Sequence, residues 1–204
     1  LAVCEQTYNV LSGALGGTYR LTSESALAWN IGRGFRAPSI FELHAFGVHG
    51  GIAAFQIGDP NPVPAIPLTT DVSARWHSPS LLAKATHYRN AIDNYVYLVN
   101  AEAIDPYTHL PIMRATQADA VLWGADLSAR AQVLPWLQLR GIFETVDGEN
   151  VETGDKLPLL PATRLEGGIR YTWREWGRMQ SPHLDFGVRH VPRKQAAGRL
   201  EPSW

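Results

Sequence analysis

The sequence predicts an all-β fold of antiparallel strands, and two observations support that prediction. Apolar and polar residues alternate with a period of two, most clearly over residues 136–144 and 165–174. The breaks between alternating segments are short polar turns at one end of the strands and long irregular stretches at the other. Two architectures share this pattern: a transmembrane β-barrel, and a soluble β-sandwich such as a sugar-binding module.

The composition narrows the possible functions. The 204 residues carry a formal net charge of −1, so the basic surface needed for nucleic-acid binding is not expected. No apolar run approaches the roughly 18 residues of a spanning helix. The single cysteine, Cys4, cannot form an internal disulfide and has no argument as a nucleophile. Because the motifs of serine hydrolases, zinc proteases and phosphate-binding loops are missing, no enzymatic activity is expected.

About eight strands are predicted along the chain. They cover residues 11–20, 27–32, 71–77, 81–98, 113–134, 136–144, 165–174 and 184–189. Strands of about ten residues suit a tilted crossing of a bilayer. Within the fifth strand, Trp123-Gly124 is predicted to form a β-bulge, since a glycine inside a strand often marks one.

The connections alternate in length, as in outer-membrane barrels with short periplasmic turns and long extracellular loops. Short turns are predicted at residues 22–24, 78–80, 134–135 and 175–181, and long loops at residues 37–67, 100–112 and 147–162. Aromatic residues gather beside the short turns, where a membrane-interface girdle would lie. They are Trp76, Trp136, Tyr171, Trp173 and Trp176.

Five motifs then favour the barrel. Residues 32–43, GRGFRAPSIFEL, resemble the "FRAP" segment of TonB-dependent outer-membrane receptors. Residues 58–61, GDPN, resemble the following "NPN" box, and residues 90–98 resemble a strand that ends in paired aromatics. Residues 117–126 are similar to the stretch "N…A…GxE", and residues 159–164 to the proline-containing approach to a later strand. The motifs occur in the family's order over nearly the whole chain.

The resemblance implies an antiparallel transmembrane β-barrel, of which residues 1–204 would form about eight of 22 strands. The N-terminal plug and the closing strands are expected to be absent from this chain, and Trp204 is not expected to be the closing aromatic. The implied activity is energy-dependent uptake of a metal or metal complex across a Gram-negative outer membrane. A passive porin-like barrel remains an alternative function.

The same resemblance implies the partners. They are outer-membrane lipid, the TonB energy-transducing complex acting through the missing plug segment, and the transported ligand. That ligand is zinc, haem or a ferric siderophore, and the sequence does not separate the three. No resident cofactor is expected, because the metal would be cargo.

The stretch between the first two motifs carries the candidate metal ligands. His49, His44 and Glu42 lie within eight residues, and imidazoles with a carboxylate suit zinc, copper or haem iron. The spacing resembles that of zinc-importing members of the family, and haem-importing members also place a histidine here. The alternative is that His49 only hydrogen-bonds within its glycine-rich loop.

Two further residues are assigned to this ligand loop. Arg36 either anchors the loop base or attracts an anionic ligand, and Asp59 either forms a turn or contacts the ligand. Residues 62–67, PVPAIP, lack the acidic residue that usually follows the second motif, so the expected ion pair at the loop base loses its partner. The remaining strand charges are predicted to face a water-filled lumen. They are Arg75, Asp126, Arg130, Arg140, Glu144, Glu166, Arg170, Asp185 and Arg189.

Overall fold

The computed structural model describes residues 7–193, apart from 174 and 178 and the side chains of 175 and 176. The predictions for Cys4 and Trp204 and for the side chain of Trp176 lie outside this part of the chain. In order, the elements are β1 (Gly13–Arg20), β2 (Ser25–Arg33), α1 (Ile40–His44), β3 (Phe46–His49), β4 (Ala54–Ile57), β5 (Ile66–His77), β6 (Leu81–Ile104), β7 (Pro111–Leu134), β8 (Leu137–Asn150), β9 (Arg164–Thr172), β10 (Glu175–Trp176), β11 (Met179–Gln180) and β12 (His183–His190).

Eight of these strands form one antiparallel meander, in the order β1-β2-β5-β6-β7-β8-β9-β12. Each strand pairs with the next long strand along the chain, and the described residues leave β1 and β12 as open edges. The structure is therefore a partial, unclosed barrel wall. This confirms the predicted all-β antiparallel architecture. No helix among the described residues is long and apolar enough to cross a membrane.

The wall has an apolar face and a polar face because register is continuous across it. One row of directly paired residues runs Tyr19, Leu27, Ala74, Ala85, Leu127, Phe143 and Leu165. The nine strand charges predicted to face a lumen alternate with these and share the opposite face, whereas Arg89 and Asp147 lie in the apolar register beside Trp123. Large apolar side chains remain open on the apolar face, with Leu15 65% and Phe186 66% exposed. A sandwich would bury such a face against a second sheet, so the soluble-sandwich alternative is wrong.

Aromatic rings line the edge of the wall where the short turns lie, which we call the turn end; the opposite edge is the loop end. Trp136 and Tyr171 have ring centroids 5.2 Å apart, and Tyr171 and Trp173 have centroids 4.6 Å apart. Trp76 lies one residue before the end of β5. The predicted aromatic cluster beside the turns is confirmed for these four residues.

The two longest strands run beyond the ranges 81–98 and 113–134 that the sequence predicts for them. β6 and β7 each contain 24 residues, and they continue to pair until Ile104 meets Pro111. The long loop predicted at residues 100–112 is therefore a short tip on a tall hairpin. The prediction ended β6 at Leu98, whereas its main-chain pairing with β7 continues to Ile104.

The predicted bulge at Trp123-Gly124 is also wrong. Both neighbours pair with this dipeptide in unbroken register: Tyr88 lies opposite Gly124 on β6, and Val146 lies opposite it on β8. A Cβ atom at position 124 would collide with the Tyr88 ring and with the carbonyl oxygen of Thr145. Gly124 therefore makes room for a cross-strand tyrosine, which is the other reason for a glycine inside a strand.

The stretch between β2 and β5, residues 34–65, crosses two strands of the wall; we call it the crossing loop. It contains α1, β3 and β4, and β4 pairs in parallel with β7, Phe55 opposite Ile112 and Ile57 opposite Arg114. β8 pairs with β7 only as far as Asn150 opposite Ala120, which leaves that edge of β7 open. The crossing loop thus reaches past β5 and β6 to occupy it.

Candidate functional site

The crossing loop begins with a short helix whose start is encoded locally. Ser39 is the N-cap of α1, and its hydroxyl accepts a hydrogen bond from the Glu42 backbone N–H (3.3 Å). The Glu42 carboxylate in turn accepts from the Ser39 backbone N–H (2.7 Å). This reciprocal capping box satisfies two backbone donors that the helix itself leaves unpaired.

Arg36 anchors the base of the loop. Its backbone exchanges two hydrogen bonds with Ala65, at 2.8 and 3.0 Å. Its Nη1 donates to both oxygens of Glu42, at 2.9 and 3.0 Å. Residues 62–67 offer no acidic partner for an ion pair at the loop base. Glu42, within the loop, pairs with Arg36 instead. Of the two roles predicted for Arg36, the structure supports the anchoring one.

The environment of Glu42 favours its ionised form. Burial on its own raises the pKa of the Glu42 carboxyl, but hydrogen bonds from Arg36 and the Ser39 backbone, with the charge of Arg36, lower it by more. The net pKa lies below the usual value. At neutral pH, Glu42 is thus an anion that holds the helix start and the loop base together.

The loop returns to the wall through a tight contact. The Gly58 N–H donates to the Ala45 carbonyl (2.7 Å), and a side chain at Gly58 would approach the Leu43 backbone to 2.8 Å. Asp59 follows, and its Oδ1 accepts from the Asn61 N–H at 2.9 Å, which is an Asx turn. The structure thus places Asp59 in a turn-forming role.

Gln117 on β7 ties the end of the loop to the wall. Its side chain accepts from the Val63 N–H (2.9 Å) and donates to the Val63 carbonyl (2.7 Å). It also donates to the Asn94 carbonyl on β6 at 2.9 Å. The segment 62–67 is therefore fastened by an amide side chain, which pairs with a backbone N–H and C=O at once.

A β-bulge in β6 turns two tyrosines towards the loop. Register shifts between Ile92 and Tyr95, and Asn94 adopts a left-handed φ of 57° while its N–H donates to Asp119 (3.0 Å). Because one extra residue reverses the alternation, Tyr95 and Tyr97 lie on the polar face. Their rings stack with centroids 6.1 Å apart and planes 18° from parallel.

These elements enclose a cavity of about 330 Å³ between the crossing loop and β6, which we call the loop pocket. It is lined by Phe41, Glu42, His49, Gln56, Tyr95, Val96, Tyr97, Leu98, Pro158 and Leu159. The Tyr95 side chain is half-buried beside this cavity. The Tyr97 hydroxyl accepts from Asn150 at 3.1 Å, which fixes its ring.

The structure brings together two of the three predicted metal ligands. His49 and Glu42 line the loop pocket, whereas His44, at the end of α1, does not. Over the described part of the chain, no three His, Cys, Asp or Glu side chains lie close enough to hold a metal ion. The assignment of His49, His44 and Glu42 as ligands stays a prediction.

Sequence reasoning missed the aromatic wall of the pocket. Tyr95 and Tyr97 were recognised only as part of a family motif and were assigned neither to a face of the sheet nor to the ligand site. The signal that could have placed them is Asp93-Asn94, a pair that tolerates the turn-like backbone of a bulge. The contribution of Pro158, from the loop after β8, had no signal in the sequence.

Comparison with known proteins agrees with the barrel fold. The family model "TonB dependent receptor-like, beta-barrel" matches residues 3–201. The chain belongs to this family. A curated relative, the "Heme/hemopexin utilization protein C" of Haemophilus influenzae (strain 86-028NP), is 26% identical over 183 residues, which cover 80% of this chain and 25% of that protein.

Solved structures of similar fold are receptors and transporters. The "Copper transporter OprC" aligns with a TM-score of 0.76 at 18% identity, covering 93% of this chain and 27% of its own. The siderophore receptor PirA from Acinetobacter baumannii aligns with a TM-score of 0.64 at 14% identity, covering 93% and 29%. This TonB-dependent receptor barrel segment therefore spans about a quarter of the length of such relatives.

Proposed function

We propose that the chain is part of an outer-membrane receptor that takes up a metal complex with energy from the TonB system, and that the loop pocket forms part of its ligand site. The family match supports the barrel, and the apolar face with its aromatic edge suits contact with outer-membrane lipid. In this arrangement the polar face lines the lumen, and the plug and the TonB contact belong to the rest of the receptor.

Among the three candidate cargoes, the pocket supports haem best. The observation that carries this choice is one imidazole, His49, beside the stacked rings of Tyr95 and Tyr97. Haem iron needs a single axial histidine, and its flat macrocycle suits an aromatic wall. Zinc usually takes three or four protein ligands. Of the three predicted ligands, only His49 and Glu42 line this pocket. The similarity to a haem utilization protein supports the same choice.

A ferric siderophore is the second candidate. The solved structures of similar fold include siderophore receptors, and catechol rings would also stack on Tyr95 and Tyr97. An aromatic siderophore would use the tyrosines without needing the imidazole. Substitution at His49 therefore separates the two candidates.

The test is titration of the complete receptor in detergent with haem, Zn²⁺ and a ferric catecholate, followed by calorimetry and, for haem, by its Soret band. We expect His49→Ala to weaken haem binding at least about tenfold, a loss of about 1.4 kcal/mol, and to abolish the histidine-ligated spectrum. His109→Ala, in the tip between β6 and β7, is the matched control and should bind like the wild type.

Two results would contradict the haem proposal. Unchanged haem affinity in His49→Ala would show that His49 does not bind haem. Tight binding of the ferric catecholate by both His49→Ala and His109→Ala would favour a siderophore as the ligand. Zn²⁺ binding that is lost in His49→Ala, His44→Ala and Glu42→Gln alike would instead support a zinc site.

A further inference from the structure

One buried amide side chain, that of Asn150, lies between the loop after β8 and the loop pocket. Asn150 is the last residue of β8 and is 6% exposed. Its Oδ1 accepts hydrogen bonds from the backbone N–H groups of Glu152 (2.8 Å) and Thr153 (3.2 Å). Its Nδ2 donates to the Tyr97 hydroxyl at 3.1 Å. The same side chain therefore contacts both the loop and the aromatic wall of the pocket.

The backbone of the loop decides which way this amide faces. The two ends of an amide differ, since its oxygen only accepts hydrogen bonds and its nitrogen only donates them. The N–H groups of Glu152 and Thr153 can only donate, so they face Oδ1 and the Nδ2 end is turned towards Tyr97. Reversing the amide would leave two backbone donors unsatisfied, which costs more than one lost hydrogen bond.

This orientation fixes the hydrogen-bonding role of the Tyr97 hydroxyl. A phenol hydroxyl has one hydrogen to donate and can also accept. Because Nδ2 of Asn150 donates to it, the hydroxyl uses an oxygen lone pair there, and its hydrogen points elsewhere. Over the residues that the structure describes, no protein atom accepts a hydrogen bond from this hydroxyl. Tyr97 lines the loop pocket, so its hydrogen is available to a molecule bound there.

The other residues of the pocket indicate what this molecule presents to Tyr97. Within the described part of the chain, the lining of the pocket includes no Lys or Arg, and the charge of Glu42 is offset by Arg36 at 2.9 Å. A hydroxyl in these surroundings gains most from a charged acceptor, since hydrogen bonds to ions are stronger than those between neutral groups. Both candidate cargoes carry anionic oxygens: haem in the propionates at the edge of its macrocycle, and a ferric catecholate in its catecholate groups.

We propose that the Tyr97 hydroxyl donates a hydrogen bond to an anionic oxygen of the cargo, and that Asn150 is the positioning residue that keeps this donor turned towards the cargo. The proposal rests on the proposed function in taking the loop pocket as part of the ligand site. For haem, the acceptor is a propionate carboxylate, which extends past the edge of the tyrosine ring that the macrocycle covers. Tyr97 thus recognises a charged group in addition to stacking its ring.

Haem and its dimethyl ester test this contact, because the ester keeps the iron and the macrocycle and removes the propionate charges. Both would be titrated into the complete receptor in detergent, with the Soret band reporting the iron ligand. We expect the wild type to bind haem about tenfold more tightly than the ester, as a hydrogen bond to a charged group requires. Tyr97→Phe keeps the ring and removes the hydroxyl. It should abolish most of this preference while the histidine-ligated spectrum remains.

Asn150→Asp tests the positioning role. The new carboxylate still accepts from the Glu152 and Thr153 N–H groups, but it cannot donate, so the Tyr97 hydroxyl turns to donate to it. Haem affinity should therefore fall about as far as in Tyr97→Phe. A double variant separates this cause from repulsion by the new charge: adding Asn150→Asp to Tyr97→Phe should weaken haem binding by no more than about twofold. An equal loss in both backgrounds would assign the effect to repulsion and overturn the positioning role.

Tyr107 provides the matched control. It lies in the tip between β6 and β7 and is 90% exposed, away from the residues that line the pocket. Tyr107→Phe should bind haem and the ester as the wild type does. Equal binding of haem and the ester by the wild type would overturn the proposal, and so would a preference for haem that survives in Tyr97→Phe.

These outcomes are distinct from those expected at His49. His49→Ala should lose the histidine-ligated spectrum yet keep its preference for haem over the ester. If the receptor binds the ferric catecholate and not haem, the haem assignment fails. Tyr97→Phe should then weaken catecholate binding about tenfold, and unchanged catecholate binding would overturn this proposal too. A receptor that binds neither molecule would overturn both proposals.

Discussion

The turn end and the loop end of the wall are built by different rules. At the turn end, eight strands pair in register, and a residue's position in the alternation decides which face it occupies. At the loop end, a bulge reverses the alternation of β6, and β4 replaces β8 as the neighbour of β7. Regular pairing thus makes the wall, and the departures from it make the pocket.

The largest effect is expected where the wall strands pair in unbroken register. There Gly124, in the middle of β7, lies beneath the Tyr88 ring. We expect Gly124→Val to destabilise the folded barrel by about 1–3 kcal/mol, because the new side chain must displace the ring or the strand. The measurement is the midpoint of urea unfolding in detergent, together with the fraction of unboiled receptor that migrates as folded barrel.

The matched control is Gly167→Val, on the apolar face of β9, where an added Cβ meets nothing within 4 Å. It should leave stability unchanged or raise it, since valine favours strands. Combining Gly124→Val with Tyr88→Ala should restore part of the loss. Equal destabilisation at positions 124 and 167 would show that ring overlap is not the cause.

A smaller effect is expected from weakening the bulge. Asp119→Ala removes the acceptor of the Asn94 N–H, and we expect a loss of about 0.5–1.5 kcal/mol confined to the loop end. Hydrogen exchange should accelerate at residues 94–97 and remain unchanged over residues 81–90. Asp126→Ala, on the same strand but in continuous register, is the control. Faster exchange along all of β6 would mean that the two ends are not independent.

The smallest effect concerns the pH dependence of the loop base. The folded state lowers the pKa of Glu42, so the ionised carboxylate stabilises the folded loop base. This stabilisation is complete above the usual pKa of 4.5 and is lost as the pH falls through the lowered pKa. The pair is partly exposed, so the contribution is less than about 1 kcal/mol.

Hydrogen exchange at the Ser39 and Glu42 amides, corrected for intrinsic rates, would measure this contribution. Opening should increase as the pH falls below 4.5 in the wild type, and should be independent of pH in Glu42→Gln. Glu152→Gln, a carboxylate variant in the loop after β8, should behave like the wild type. An unchanged acid response in Glu42→Gln would assign it to another group.

The two ends also differ in how far the sequence predicts them. The strand pairs around Leu139 and Ile169 follow from period-two alternation, because one face is apolar throughout. The faces of Tyr95 and Tyr97 could not be predicted in this way, since one extra residue inverts every later position. The parallel pairing of β4 with β7 depends on where β8 ends, and no local pattern encodes that.

The crossing loop has a consequence for the order of assembly. Val63 and Gln117, which fasten it to the wall, are 54 positions apart in the chain, so their contact closes a large loop at a high cost in chain entropy. The β6–β7 hairpin closes through a short tip and has no such cost. The edge that β4 occupies exists only once this hairpin has formed. We therefore expect the segment that completes the pocket to assemble last, and to be able to detach while every hydrogen bond between neighbouring wall strands stays in place.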